Sequence, residues 1–203
     1  MEGQTRSLPV HLVGVGSLGT AIGLLLAKSE ITQIYIYDDD VVELKNIRNQ
    51  LYPDFLVGVP KVEAFSWVLD ALAHTRTRAH RQRVSSIATT TAAVICAVDN
   101  MATRRALYET AGQAPLFVDG RVGGDVTRLY FIRHGDAEER RFYESTLYDD
   151  SEASQDPCLT AATVHTCWSA ASLIVSTLLK FLRGEPIPRE IIFDHATLTM
   201  TSQ

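Results

Sequence analysis

A glycine turn, Gly14-Val-Gly-Ser-Leu-Gly19, constrains what this chain can fold into more than any other feature of the sequence. An apolar run, residues 8–15, leads into the turn, and residues 18–28 follow it with apolar side chains all round a helical wheel. That order predicts a buried strand, a tight turn and a helix packed closely on a sheet. The glycines of such a unit let the backbone approach a phosphate, and the free N–H groups at the start of the helix attract an anion.

The rest of the chain continues the alternation of strand and helix. Strands are predicted at 34–37, 92–98, 116–118, 126–132 and 190–194, with 197–201 as a further candidate, and helices at 61–74, 100–111 and 161–183. Residues 126–132 alternate apolar with polar side chains, which is typical of an antiparallel or edge strand. We therefore expect residues 1–203 to form one domain of the α/β class, a Rossmann-like doubly wound mixed sheet with helices on both faces.

One long connection interrupts this pattern. Residues 134–158 are polar, acidic and without sustained periodicity. A connection of this length inside a compact domain is usually functional or disordered. We expect a mobile crossover loop at about 134–158, with one helical turn around Glu138 to Glu144.

Charge and hydropathy exclude several classes of partner. The formal net charge of -5 disfavours broad adhesion to nucleic acid, and the basic cluster at 76–83 is typical of a solvated strand edge. The longest apolar run, 170–182, is interrupted by hydroxyl side chains and by Lys180 and is shorter than the roughly 20 residues that span a bilayer. We expect no membrane association and, since no apolar signal core precedes the first strand, a cytoplasmic location.

The three cysteines, Cys96, Cys158 and Cys167, form no C-x-x-C pair. We therefore expect neither a disulfide framework nor structural zinc. Cys96 lies in an apolar strand and Cys167 in an apolar helix, and both are predicted to be unreactive core residues. Three further side chains are predicted to be packed: Trp67, His165 and Trp168.

An acidic residue, Asp38, follows the glycine turn at the end of the second strand. In dinucleotide-binding dehydrogenases an acid about 20 positions beyond the turn binds the ribose hydroxyls, so an NAD(P)-dependent oxidoreductase fits the chain as far as Asp40. Beyond Asp40, the polar segment Asn46-Ile-Arg-Asn-Gln50 and Lys61 have no use in hydride transfer. The later part of the motif thus favours another kind of nucleotide enzyme.

These motifs resemble those of the ThiF/MoeB/ubiquitin-activating enzyme family, and in particular its short, minimal bacterial or phage members. The resemblance runs from the glycine turn through Asp38, Asn46 and Lys61 to Val98-Asp-Asn100. Enzymes of this family use ATP to adenylate the C-terminal glycine of a ubiquitin-like or sulfur-carrier protein. The resemblance therefore implies an adenylyltransferase that uses ATP and Mg²⁺, acts on such a partner protein and forms a homodimer.

The resemblance also implies a role for each matching residue. Asp38 would bind the ribose, and Asn46 and Lys61 would contact the ATP phosphates. Asp99, at the carboxyl end of an apolar strand, would hold magnesium, which needs only one or two protein carboxylates beside phosphate oxygens. The glycines implied to cradle the phosphates are Gly14, Gly16 and Gly19.

Structural alternatives remain open for several of these residues. Lys61 could simply begin a solvated helix, and Asp38 could be an ordinary turn acid. Asp99-Asn100 could serve only as the cap of the following helix. For Asp40 a structural role at the turn is as plausible as a catalytic one.

One position departs from the family pattern. The family usually has an arginine directly before the glutamine, where this chain has Asn49, with Arg48 one position earlier. Asparagine cannot make the bidentate phosphate contact of a guanidinium, so Arg48 is the candidate that would supply this charge. The departure leaves open a different class of function, a non-catalytic nucleotide- or partner-binding subunit that pairs with an active relative.

Cys158 is the candidate nucleophile. It follows Asp156-Pro157 and lies just ahead of a predicted helix, whose N-terminus can lower a thiol pKa from about 8.5. Family members often carry a cysteine in this region that forms a thioester or persulfide link, so the resemblance implies transfer of the activated partner to Cys158. A loop cysteine without a chemical role remains the alternative.

Overall fold

The computed structural model describes residues 8–87, 89, 91–149 and 163–203. Its strands are β1 (Val10–Val13), β2 (Ile34–Tyr37), β3 (Arg78–His80), β4 (Ala93–Cys96), β5 (Phe117–Gly123), β6 (Val126–Ile132), β7 (Glu190–Asp194) and β8 (Thr199–Ser202). They form one sheet in the order β3-β2-β1-β4-β5-β6-β7-β8. Pairing is parallel from β3 to β5 and antiparallel from β5 to β8, which confirms the predicted mixed sheet.

Helices cover both faces of the sheet. They are α1 (Ser17–Lys28), α2 (Lys61–Ala73), α3 (Met101–Thr110), α4 (Ala137–Glu144) and α5 (Val164–Leu182), with short 3-10 helices at Leu44–Arg48 and Asp54–Leu56. Side chains of α1, α2 and α5 belong to one buried cluster, and side chains of α3 and α4 belong to a second. The predicted doubly wound α/β class is confirmed.

Strand β4 shows how the sequence produces these two layers. All four of its residues are buried, as expected for a continuous apolar strand with helices on both faces. Successive side chains of a strand point to opposite faces. Ala93 and Ile95 accordingly join the cluster with α1, whereas Val94 and Cys96 join the cluster with α3.

The strand order places a ligand-binding edge in the middle of the sheet. β1 pairs with β2 on one side and with β4 on the other, so the order of the strands reverses between β1 and β4. Ligands of open α/β sheets bind at the carboxyl ends of the strands at such a switch point. Gly14 follows β1, Asp38 follows β2 and Asp99 lies shortly after β4.

Some sequence-based expectations are corrected. Trp67 is 51% exposed and contacts Phe55 edge-on rather than the core, and His165 is exposed. β5 runs five residues further than predicted, to Gly123, so Arg121 lies in a strand and pairs with Arg128.

Other local expectations are confirmed. The basic cluster contributes β3 at the edge of the sheet, and the helical turn expected within 134–158 is α4. Trp168 is partly buried and packs against the core. In the described part of the chain, no helix combines the length and the apolar character that a membrane span needs.

Candidate functional site

A cavity of about 710 Å³ lies at the carboxyl ends of β1, β2 and β4 and beside the second half of β5. Its lining includes Gly14 and Gly16 of the glycine turn, together with Asp38, Lys61 and Asp99. Residues that are far apart in the sequence thus meet at the switch point of the sheet. Gly19, Asn46 and Arg48 are not among the lining residues.

The glycine turn needs glycine for two separate reasons. Gly14 has a φ of +89°, which residues with a side chain rarely adopt, and a Cβ there would lie 2.6 Å from the Ala97 carbonyl oxygen. A Cβ at Gly19 would lie 1.9 Å from the Gly14 carbonyl oxygen. Gly19 is therefore required for packing of α1 against the turn, which explains why it does not face the cavity.

Gly16 has a different role because a Cβ there would meet open space. It is the N-cap residue of α1, and no side-chain hydrogen bond caps this helix start. The first N–H groups of a helix have no partner within the helix and carry a partial positive charge. The start of α1 can therefore bind an anion directly through its backbone.

This contrast predicts different outcomes for two alanine substitutions. We expect Gly19→Ala to lower the free energy of unfolding by about 1–3 kcal/mol, since its methyl group overpacks the turn. Gly16→Ala should cost less than about 1 kcal/mol but weaken ATP binding, because the methyl group projects into the open space before α1. Urea unfolding and ATP titration measure the two effects. Equal loss of stability in both variants would contradict this division of roles.

Asp38 is held in a fixed orientation at the end of β2. One carboxylate oxygen accepts a hydrogen bond from the Val15 N–H and the other from the Asp40 N–H, both at 2.9 Å. The Tyr52 hydroxyl donates to the Val15 carbonyl oxygen at 2.6 Å and supports the same turn. An ionised carboxylate has further acceptor sites on both oxygens, so Asp38 can still accept from the hydroxyls of a ribose.

Lys61 is the first residue of α2 and is only 7% exposed. The alternative that it merely begins a solvated helix is wrong. Its Nζ lies 2.6 Å from an Asp40 carboxylate oxygen, and the Lys61 N–H donates to the Asp40 carbonyl oxygen at 2.9 Å. The Asp40 side chain is 65% exposed, so the lysine ammonium is buried at the cavity wall with a partner that faces solvent.

Asn100 caps α3, whereas Asp99 presents its carboxylate to the cavity. Asn100 caps α3 by accepting a hydrogen bond from the Thr103 N–H at 2.8 Å. Its side-chain amide also donates to an Asp99 carboxylate oxygen at 3.4 Å. The capping alternative therefore applies to Asn100, and the exposed Asp99 carboxylate stays available at the cavity.

The acidic groups of this cavity fit a hard divalent cation. Carboxylate oxygens of Asp38, Asp39 and Asp40 lie within 4.8 Å of one another, and all three residues line the cavity with Asp99. Magnesium takes oxygen ligands and is usually bound by one or two carboxylates together with substrate phosphates. Asp99 lines the same cavity as the start of α1 and Lys61, so its carboxylate is available to such a cation.

The segment around the departure from the family pattern lies beside the cavity. Asn46 is buried, and its side-chain oxygen accepts from the Glu43 N–H at 2.8 Å, capping the 3-10 helix. Arg48 is exposed. Side-chain oxygens of Asn49 and Gln50 are buried without a hydrogen-bond partner among the described residues. Gln50 also lines the cavity, so it offers a polar group that the sequence analysis did not assign.

The cysteines differ in what the structure shows. Cys158 lies outside the described residues. Burial raises the pKa of Cys96 to about 12 and that of Cys167 to about 11, so both thiols stay protonated at neutral pH, in agreement with their predicted core positions. Cys167 is nevertheless part of the cavity lining.

Sequence reasoning missed a buried charge cluster on the β5 side of the cavity, which we call the arginine cluster: Arg104, Asp119 and Arg121. Asp119 is fully buried and forms ion pairs with both arginines. Burial raises the pKa of Asp119, but the two guanidiniums outweigh that effect and hold it below its usual value. In the sequence, two charged residues in Asp119-Gly-Arg121 inside an otherwise apolar strand could have indicated this cluster.

Comparison with known proteins gives the context of this site. Ubiquitin-like modifier-activating enzyme 5 of Caenorhabditis briggsae is 34% identical over 71 residues, which are 35% of this chain and 16% of that protein. Adenylyltransferase and sulfurtransferase MOCS3 of Arabidopsis thaliana is 39% identical over 67 residues, 32% of this chain and 14% of that protein. The chain thus spans a small part of each curated relative.

Solved structures share the fold over almost the whole chain. E. coli MccB in the structure with ATP matches 98% of this chain and 64% of its own with a TM-score of 0.78 and 17% identity. PaaA matches 98% of this chain and 64% of its own with a TM-score of 0.76 and 16% identity. The model of the ThiF family matches residues 3–202. This chain belongs to the ThiF family.

Proposed function

We propose that this protein is an ATP-dependent adenylyltransferase that activates the C-terminal glycine of a small ubiquitin-like or sulfur-carrier protein. One observation carries the proposal. A single cavity at the switch point contains a helix start without a side-chain cap, an oriented carboxylate, a buried lysine and an exposed carboxylate. These groups suit three parts of ATP bound with a divalent cation: the helix start and the lysine suit the phosphates, the oriented carboxylate suits the ribose, and the exposed carboxylate suits the cation. Membership of the ThiF family and the fold of MccB support the same reaction class.

The residues act mainly by positioning and by neutralising charge. The start of α1 and Lys61 bind the phosphates, and Asp38 accepts hydrogen bonds from the ribose. Asp99 would hold Mg²⁺, whose charge, when bound, offsets that of the phosphate oxygens. An oxygen of the substrate carboxylate attacks the α-phosphorus, the bond to the bridging oxygen breaks, and the products are an acyl adenylate and diphosphate.

The partner is proposed from the kind of reaction. The related enzymes are described as ubiquitin-like modifier-activating and as adenylyltransferase and sulfurtransferase, and MccB has been solved with MccA. These descriptions support a small protein or peptide as the substrate class, and the C-terminal glycine is the part that we propose from the family resemblance of the motifs. We further propose that the protein is cytoplasmic and works as a homodimer. Analytical ultracentrifugation of the purified chain would test the homodimer.

The second candidate is a non-catalytic nucleotide-binding subunit that pairs with an active relative. It is motivated by Asn49 in place of the family's arginine and by Arg48, which is exposed and does not line the cavity. An oxidoreductase is disfavoured, because a buried Lys61 and a cavity-facing Asp99 have no role in hydride transfer.

Exchange of labelled diphosphate into ATP separates these candidates. The assay combines the protein, ATP, Mg²⁺ and a candidate small protein that ends in Gly-Gly. The adenylyltransferase gives exchange that depends on the free C-terminal carboxylate and disappears when that carboxylate is amidated. Measurable ATP binding without exchange for any Gly-Gly partner would instead favour the non-catalytic subunit, and NADH oxidation would favour the oxidoreductase.

A separate prediction concerns Cys158. We expect Cys158→Ala to leave diphosphate exchange unchanged within about twofold, because the cysteine would act only after adenylation. The same variant should lose any conjugate with the partner that a thiol reductant releases, which non-reducing gel electrophoresis detects. Cys96→Ala serves as the control because its thiol is buried and protonated. A conjugate that persists in Cys158→Ala would eliminate this nucleophile.

A further inference from the structure

The arginine cluster carries more positive than negative charge in a buried place. Arg104 is 6% exposed, Arg121 is 5% exposed and Asp119 is 0% exposed. Two guanidiniums and one carboxylate leave an excess of one positive charge. Buried charge is costly unless a partner balances it. Arg104 and Arg121, the two ion-pair partners of Asp119, both line the cavity, so an anion from solution can supply the balance.

The contacts of Arg121 fix its guanidinium and leave donors unused. Nε donates to Asp119 at 2.8 Å, Nη1 to the Thr146 carbonyl oxygen at 2.9 Å and Nη2 to the Thr146 hydroxyl at 3.1 Å. The guanidinium also lies over the Tyr130 ring, 4.5 Å from its centroid. Each terminal nitrogen of a guanidinium carries two hydrogens. The contacts with described residues therefore leave one N–H on Nη1 and one on Nη2.

The position of Arg121 separates it from the phosphate-binding turn. Arg121 and Gly14 both line the cavity, but β5 and β1 lie on opposite sides of β4. Neighbouring strands are about 4.8 Å apart, which places the two strands roughly 10 Å from each other. Arg104 and Asp99 also line the cavity. The arginine cluster is thus a second concentration of positive charge, separate from the start of α1.

We propose that Arg121 binds the C-terminal carboxylate of the polypeptide substrate and presents it to the nucleotide. A guanidinium N–H that is still unused can donate a charge-assisted hydrogen bond to a carboxylate oxygen. Asp119 and Thr146 hold the guanidinium in place, and Arg104 keeps Asp119 paired, so that Arg121 is not fully neutralised. The role in adenylation rests on the proposed function, whereas carboxylate binding does not.

The test uses N-trifluoroacetyl-glycylglycine as the carboxylate probe and its C-terminal amide as the matched neutral probe, both titrated into the protein by ¹⁹F NMR. We expect the acid to bind at least about tenfold more tightly than the amide, since only the acid can form a charged hydrogen-bonded pair with the guanidinium. Arg121→Met should remove that preference. Arg133→Met is the control, because Arg133 pairs with Glu139 and does not line the cavity.

Two results would overturn the proposal. The first is equal affinity of the wild-type protein for acid and amide, which needs no variant and so does not depend on folding. The second is an Arg121→Met protein that keeps the preference for the acid. If this protein also loses affinity for inorganic diphosphate, the cluster is assigned to the phosphates. Acid binding that requires Arg121 in a protein without diphosphate exchange would instead uphold this inference and refute the proposed function.

Discussion

Replacing Asp99 with asparagine is expected to lower the rate of diphosphate exchange by about 10²–10³-fold, the usual loss when one group that stabilises developing charge is removed. The exposed Asp99 carboxylate lines the cavity, and the cap of α3 is supplied by Asn100. The substitution therefore removes a charge without removing a cap. The free energy of unfolding should change by less than about 0.5 kcal/mol, as for other exposed positions.

The magnesium dependence of nucleotide binding identifies the reason for that loss. A non-hydrolysable ATP analogue should bind the wild-type protein more tightly as the Mg²⁺ concentration rises, and Asp99→Asn should reduce this dependence. Asp54→Asn is the isosteric control, since Asp54 is exposed and lies outside the cavity lining. Normal exchange by the Asp99→Asn protein would contradict the assignment of Asp99 as the magnesium ligand. Asp38, Asp39 and Asp40 would then be the remaining candidates.

The second large effect is on stability. We expect Asp119→Asn to lower the free energy of unfolding by about 3–5 kcal/mol, because it leaves the buried guanidiniums of Arg104 and Arg121 without their counter-charge. The carboxylate also accepts a hydrogen bond from the Tyr143 hydroxyl at 3.0 Å. Glu185→Gln, which breaks the exposed pair with Arg183, should have a much smaller effect, because exposed ion pairs contribute little to stability. Urea unfolding of both variants measures the difference.

The pH dependence of unfolding gives an independent check on Asp119. Its pKa is lower in the folded protein than in the unfolded chain, so its ionised form stabilises the fold above the ordinary value of about 3.9. That contribution is lost as the pH falls toward the lowered folded pKa. The stability difference between wild type and Asp119→Asn should therefore shrink below about pH 4. A difference that stays constant there would contradict the ion-pair account.

Local patterns in the sequence predicted the parts of the fold that depend on neighbours in the chain. The apolar run before Gly14 and the helix after it gave the first strand–turn–helix unit, and the continuous apolar residues of β4 gave a central strand. The prediction that Trp67 is packed was wrong, and the reason is also local. It lies two positions beyond Phe65, which is completely buried, and a spacing of two residues on a helix points to another face.

The candidate site was only partly predictable because its charges pair over long distances. Lys61 and Asp40 are 21 positions apart, and neither pattern nor composition shows that one would neutralise the other. Arg104 and Asp119 meet because α3 leads back to the start of β5, and β5 then runs parallel to β4, which brings Asp119 level with Cys96 at the end of β4. The charged residues Asp119 and Arg121 within an apolar strand are visible in the sequence. Their ion-pair partners could be identified only in the structure.

The most direct test of the adenylation proposal follows the oxygen atoms. A Gly-Gly-ended partner protein whose C-terminal carboxylate carries ¹⁸O is incubated with this protein, ATP and Mg²⁺, and hydroxylamine is added to attack the acyl carbon. Attack of the carboxylate on the α-phosphorus predicts one ¹⁸O atom in the released AMP, together with diphosphate and a partner hydroxamate. Unlabelled AMP, or release of ADP in place of AMP, would contradict the account.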